Sequence, residues 1–170
     1  KAIGISNQRE TSLIWDRKSG AALENAVVWQ CDRADEICKR PDIFEKADAV
    51  RDKTGLELSP YYPAAKYRWL LENTPDAADL AQEGRICLGT MDSYLIFRLT
   101  KGKSFVTDYS NAARTQLFNI HNLSWDDDLC SLFGVTPEML SDIFDSDSCF
   151  GYTTCEDIFP GPVPVQGVLG

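Results

Sequence analysis

The chain has 170 residues, 44% of them hydrophobic, which is enough to bury a core and excludes an intrinsically disordered segment. Its formal net charge of −9 excludes a wide cationic surface for nucleic acid. Its apolar runs are too short to span a bilayer, and it carries no basic leader with an apolar stretch, so a cytoplasmic, membrane-free protein is expected. Along the chain, strands are predicted over residues 2–6, 11–16 and 26–29, with a turn at 17–20. Helical patterning follows over 32–39 and 43–53, with Pro41 stopping the first helix and Gly55 capping the second. Pro63 suits the first turn of a helix reaching Leu71, and a helix over 76–82 leads into a strand over 85–88. Residues 91–99 read as a buried helix with Tyr94, Leu95 and Leu99 inward. Helices are expected over 126–133 and 137–143, then an acidic, turn-rich segment over 149–161 and a strand over 163–168.

Several groups that invite a chemical role have plainer explanations. Cys31, Cys38, Cys87, Cys130, Cys149 and Cys155 are scattered, with no CxxC pair, and read as reduced thiols rather than a disulfide framework. His121, the single histidine, has no cysteine at metal-ligand spacing and no nucleophile motif, so it reads as structural. Asp108 reads as a side chain closing a turn. The run Asp126-Asp127-Asp128 reads as a helix start favoured by the helix dipole.

The residues that point to function begin with Asn7-Gln8-Arg9-Glu10-Thr11, at the end of the first apolar run. Ligands of open α/β sheets bind outside the carboxyl ends of the strands. A guanidinium beside a carboxylate supplies directional donors and acceptors for a molecule made mostly of hydroxyls. Three further blocks follow in order: Asn25-Ala26-Val27-Val28-Trp29-Gln30, then Tyr61-Tyr62-Pro63-Ala64-Ala65-Lys66-Tyr67-Arg68-Trp69, then Thr107-Asp108-Tyr109-Ser110-Asn111-Ala112-Ala113-Arg114-Thr115.

This ordered set resembles the FGGY family of carbohydrate kinases over essentially the whole chain, nearest to its members that phosphorylate glycerol. The resemblance implies an α/β, ribonuclease H-like (actin-like ATPase) fold. In that reading residues 1–170 form a single α/β fragment of the first, N-terminal domain, without the phosphate-binding segment or the C-terminal domain. By resemblance Arg9, Glu10, Trp29 and Tyr61 bind the polyol, while Lys66 and Trp69 are scaffold. The fragment contains no metal ligand and no catalytic residue, since the family's catalytic aspartate is expected immediately after Gly170. The full-length parent would use ATP and Mg²⁺, which this fragment alone would not bind, and would assemble as a homo-oligomer. The rivals are a kinase for another polyol or a ketose such as xylulose, and a non-catalytic binding domain derived from the same fold. Two departures stand out: Ser59 replaces a family aspartate, and residues 155–161 are acidic where some bacterial members carry a cationic loop for fructose 1,6-bisphosphate.

Overall fold

The computed structural model describes residues 1–154 and 158–170, so Cys155 and both acids of the 155–161 segment, Glu156 and Asp157, lie outside the described residues. In chain order the elements are β1 (Ile3–Ser6), β2 (Leu13–Asp16), α1 (Asp35–Cys38), α2 (Pro41–Phe44), α3 (Ala47–Thr54), α4 (Pro63–Asn73) and α5 (Ala77–Gln82). They continue with β3 (Ile86–Gly89), α6 (Met91–Leu99), β4 (Val106–Asp108), α7 (Tyr109–Ala112), β5 (Phe118–Asn119), β6 (Ser124–Trp125) and α8 (Asp127–Leu132). A 3-10 turn at Pro137–Met139 precedes β7 (Asp142–Phe144), β8 (Cys149–Tyr152) and β9 (Pro164–Leu169).

β1 and β9 are parallel neighbours, with Ser6 opposite Leu169, and β8 pairs antiparallel on the other side of β9. The carboxyl ends of β1 and β9 therefore emerge together at one edge. β2 and β3 form an antiparallel pair, and β4 runs parallel to β7. The β2–β3 pair is buried on both faces. Ile14, Ile86 and Leu88 join the main core with α1, α4 and α8, whereas Leu13, Trp15 and Cys87 meet Phe97 of α6 on the opposite side. Trp15 has no solvent exposure and sits among Tyr94, Phe97 and Phe105 at ring separations of 5.2–5.8 Å, a tilted and edge-on arrangement that suits aromatic quadrupoles. A third cluster packs Ile5, Val165, Val168 and Phe150 against Ile96 and Val106.

Several expectations are corrected. Residues 26–29 form no strand; Val27 makes only an isolated bridge to Ser12, and Trp29 lies in the turn after it. Pro41 does not merely stop a helix but opens α2 at its first turn, where its missing N–H has no intrahelical partner to lose. The single helix expected over 43–53 is two, α2 and α3. Gly55 caps α3 in the left-handed conformation (φ 73°), its N–H donating to Arg51 O. On α6 the inward face is Asp92, Ser93, Ile96 and Phe97, while Leu95 is exposed. Residues 137–143 are not a helix: one 3-10 turn ends at Met139 and the chain then enters β7. The segment expected to be turn-rich opens with a strand, β8 at Cys149–Tyr152.

Candidate functional site

The turn after β1 carries Asn7 to Glu10 to the shared strand edge. Glu10 is 6% exposed, and its Oε1 accepts from Arg114 Nε at 2.8 Å. Arg9 is half-buried and makes no hydrogen bond or ion pair among the described residues. The adjacent Arg9 and Glu10 are therefore not an ion pair with each other, since the counter-charge of Glu10 comes from Arg114, after α7. The guanidinium of Arg114 also lies over the Tyr62 ring, 5.0 Å from its centroid, which adds a cation–π contact on its apolar face.

Lys66 sets the geometry of this region. It belongs to the first turns of α4, its side chain is fully buried, and its Nζ donates to Glu10 O at 2.8 Å and also to Tyr61 O. One ammonium thus joins the backbone of the β1 turn to the backbone preceding α4. Burial pushes the Lys66 amine down to about 8, against the opposing pull of Glu10 and Cys31. Tyr61, held from its own carbonyl, stands edge-on to Trp29 with ring centroids 5.9 Å apart, and edge-on to Tyr62 at 5.1 Å. Trp29 is 37% exposed, so one side of the indole is open to solvent.

The four residues singled out from sequence fall into two groups. Glu10, Tyr61 and Trp29 form one continuous set through Lys66 and the ring contacts. Arg9 lies one residue away in the same turn, its side-chain stem against Gly170: a Cβ built on Gly170 would come within 2.1 Å of Arg9 Cγ and Cδ. The arrangement offers a fixed carboxylate, an unpaired guanidinium and an aromatic wall, a chemistry suited to a small molecule with several hydroxyls on a carbon frame. A groove of about 410 Å³ lined by Arg17, Lys18, Phe97, Arg98 and Lys101 contains none of the four.

The structure also brings in Arg114, to which the sequence gives no role, and specifies the roles of residues already read as structural. Arg114 stands inside the block from Thr107 to Thr115, but its pairing with Glu10 spans 104 positions and leaves no local trace. Lys66 was read as scaffold, a role its two carbonyl contacts now make specific. Trp69 packs partly buried against the main core, beneath the Arg33 guanidinium at 4.8 Å. Asp108 caps α7 and Asp126 caps α8, as turn-closing acids should. His121 is exposed, with Nε2 2.8 Å from Asp52 O. Cys31, Cys38, Cys87, Cys130 and Cys149 are free thiols. Among the described residues no group of three or more His, Cys, Asp or Glu side chains is arranged around a common point as a metal site would require, and no helix is long and apolar enough to cross a membrane.

Residues 1–170 match the FGGY family of carbohydrate kinases, N-terminal domain. The chain is similar to glycerol kinase of Bdellovibrio bacteriovorus, 47% identical over 170 residues, which is 100% of this chain and 34% of that protein. Glycerol kinase 1 of Thermotoga maritima is 44% identical with the same coverage. The crystal structure of Plasmodium falciparum glycerol kinase with ADP superposes at a TM-score of 0.89 and 36% identity, over 100% of this chain and 34% of that one. Gluconate kinase from Lactobacillus acidophilus, 24% identical over 98% of this chain and 34% of its own, shares the fold at a TM-score of 0.81. The chain thus spans about a third of the length of the relatives it matches.

Proposed function

The chain belongs to the FGGY family of carbohydrate kinases, with its ribonuclease H-like (actin-like ATPase) fold, and we propose that the protein containing it transfers the γ-phosphoryl group of ATP to glycerol, giving sn-glycerol 3-phosphate. The observation that carries this reading is the convergence of Arg9, the Arg114-held carboxylate of Glu10, Tyr61 and Trp29 at one strand edge. Identity of 44–47% to glycerol kinases across the whole chain supports the choice of glycerol over a ketose.

In this reading Arg9 donates to two neighbouring hydroxyl oxygens, and Glu10 accepts from a hydroxyl through the carboxylate oxygen that Arg114 does not hold. Tyr61 offers its phenol, and Trp29 covers the carbon chain. In-line transfer also needs a base at the acceptor hydroxyl and cationic neutralisation of the phosphates. In this reading ATP and Mg²⁺ are held by the remainder of the full-length protein, and the side chains named here bind and orient the polyol. The contribution of residues 1–170, one α/β unit of the N-terminal domain, is to bind and orient the polyol, and alone it is inactive. The protein acts in the cytoplasm as a homo-oligomer, on a small-molecule substrate, without nucleic acid or membrane partners.

The test is kcat/KM of the full-length protein for a panel of polyols and ketoses at saturating ATP. A site whose buried polar groups lose their partners rejects strongly, so glycerol is expected to exceed xylulose and ribulose at least ~100-fold. A ketose equal to or better than glycerol would place the protein in another branch of the family.

A further inference from the structure

The edge where β1 and β9 end is anchored to one buried carboxylate. Asp108 has no solvent exposure and accepts five hydrogen bonds. Its Oδ1 accepts from Asn111 N at 3.0 Å and Asn111 Nδ2 at 2.7 Å. Its Oδ2 accepts from Ser110 N at 3.2 Å, Ser110 Oγ at 2.7 Å and Ser146 Oγ at 2.5 Å. Burial alone would push this carboxyl up, and the donors from Ser146, Ser110 and Asn111 outweigh it, so it is held below the usual carboxylate range.

Two arms leave Asp108, and its charge sets the direction of each. An ionised carboxylate only accepts, so Asn111 must turn its amide N–H₂ to Asp108 and its Oδ1 outward. That Oδ1 accepts from Asn7 Nδ2 at 2.9 Å, at the end of β1. Ser110 likewise spends its hydroxyl proton on Asp108 and presents a lone pair, which accepts from Gly170 N at 3.0 Å, at the end of β9. Asn7 is two residues before Arg9, and Gly170 is the wall against the Arg9 stem, with no room for a Cβ. Both supports of that side chain therefore return to Asp108, by the shorter of the two bonds in the case of Asn7, whose Nδ2 also donates to Asp92 Oδ1 at 3.4 Å.

We propose that Asp108 is a positioning residue for Arg9: through Asn111 and Ser110 it fixes the two strand ends that aim the guanidinium at the polyol. It touches no substrate. The proposal rests on the assignment of Arg9 to glycerol, and the experiment separates the two.

Asp108→Ala would strip five hydrogen bonds from a buried hub and threatens folding, so the test uses Ser110→Ala, Ser110→Thr and Asp108→Asn in the full-length protein. Steady-state kinetics are measured for each, alone and combined with Arg9→Ala. Ser110→Ala is expected to raise KM for glycerol about tenfold with KM for ATP unchanged, and Ser110→Thr to restore it. In the Arg9→Ala background, Ser110→Ala and Asp108→Asn should add less than about twofold, because residues acting through one another are non-additive. Equal losses with and without Arg9, or no rescue by threonine, overturn the proposal while the role of Arg9 stands. An Arg9→Ala protein with unaltered glycerol kinetics overturns the role of Arg9 and this proposal with it.

Discussion

Lys66 is a charged group with no solvent contact, and two backbone carbonyls make its burial tolerable. Lys66→Met keeps much of the volume but orphans both carbonyls, so a loss of about 2–4 kcal/mol is expected despite removal of a buried charge. The pH dependence of that loss is specific. With the amine at about 8 in the fold and 10.5 when unfolded, the folded state holds fewer protons between those values, so its stability rises with pH across that window. Neutral lysine still donates to both carbonyls, so the gap between wild type and Lys66→Met should widen from pH 8 to pH 10.5 in thermal melts. The two arginines should separate in another way. Arg9→Ala, with no protein partner among the described residues to lose, is expected to leave the melting temperature unchanged and cost about 2–4 kcal/mol in kcat/KM for glycerol. Arg114→Ala strands the buried carboxylate of Glu10 and should lower both stability and glycerol use. The position of Arg9 and Glu10 just past a strand end is legible in sequence because a short apolar run precedes them directly. The carbonyl contacts of Lys66 are not, since any residue can supply a carbonyl and the acceptors' identities carry no signal.

Among elements, the helices with strong local signals were the legible ones. Pro63 at the start of α4 and Gly55 after α3 act within a single turn, so the chain announces them itself. α6 misleads because its interior holds Asp92 and Ser93. Thr90 and Thr107 donate to the Asp92 carboxylate, and Ser93 Oγ donates to Thr90 O, so polar residues occupy positions that periodicity assigns to solvent. β4 and β7 escape notice for a different reason: each has three residues, and each becomes a strand only by pairing with the other. α8 shows how a short helix is held from outside. Asp126 caps it through Leu129 N at 3.0 Å, pairs with Lys53 of α3 at 2.8 Å and accepts from Asn119 of β5 at 2.8 Å. Asp126→Ala is expected to destabilise the protein by about 2–3 kcal/mol, seen as a lower urea midpoint, because it removes a cap and uncouples three elements together.

At the scale of the whole molecule, an excess of acids is arranged so that several are held ionised. The Arg85 guanidinium beside Asp16 holds its carboxyl well below the usual range despite burial. Glu72 is brought to about 2, first by Arg40 and then, against burial, by Arg68. A carboxylate with a depressed folded value contributes stability that is present above its unfolded value of 4.5 and lost as pH falls through 2. The melting-temperature difference between wild type and Glu72→Gln should therefore be largest above pH 5 and shrink toward pH 2. A pH-independent difference would mean that Glu72 acts by packing and not by charge.

The parallel pairing of β1 with β9 has a kinetic consequence. Ile3 meets Val165, so the strand edge that bears Arg9 closes only when nearly the whole chain has been brought into register. Loop closure over about 160 residues costs on the order of 4.5 kcal/mol of chain entropy before the contact returns anything. Contacts so distant in sequence slow folding relative to local ones. During synthesis β1 must wait, an apolar strand without its parallel neighbour, until β9 leaves the ribosome. The Arg9 edge is thus expected to form after α4 and its lysine, an order that pulsed hydrogen exchange during refolding would show as later protection of β1 amides than of α4 amides.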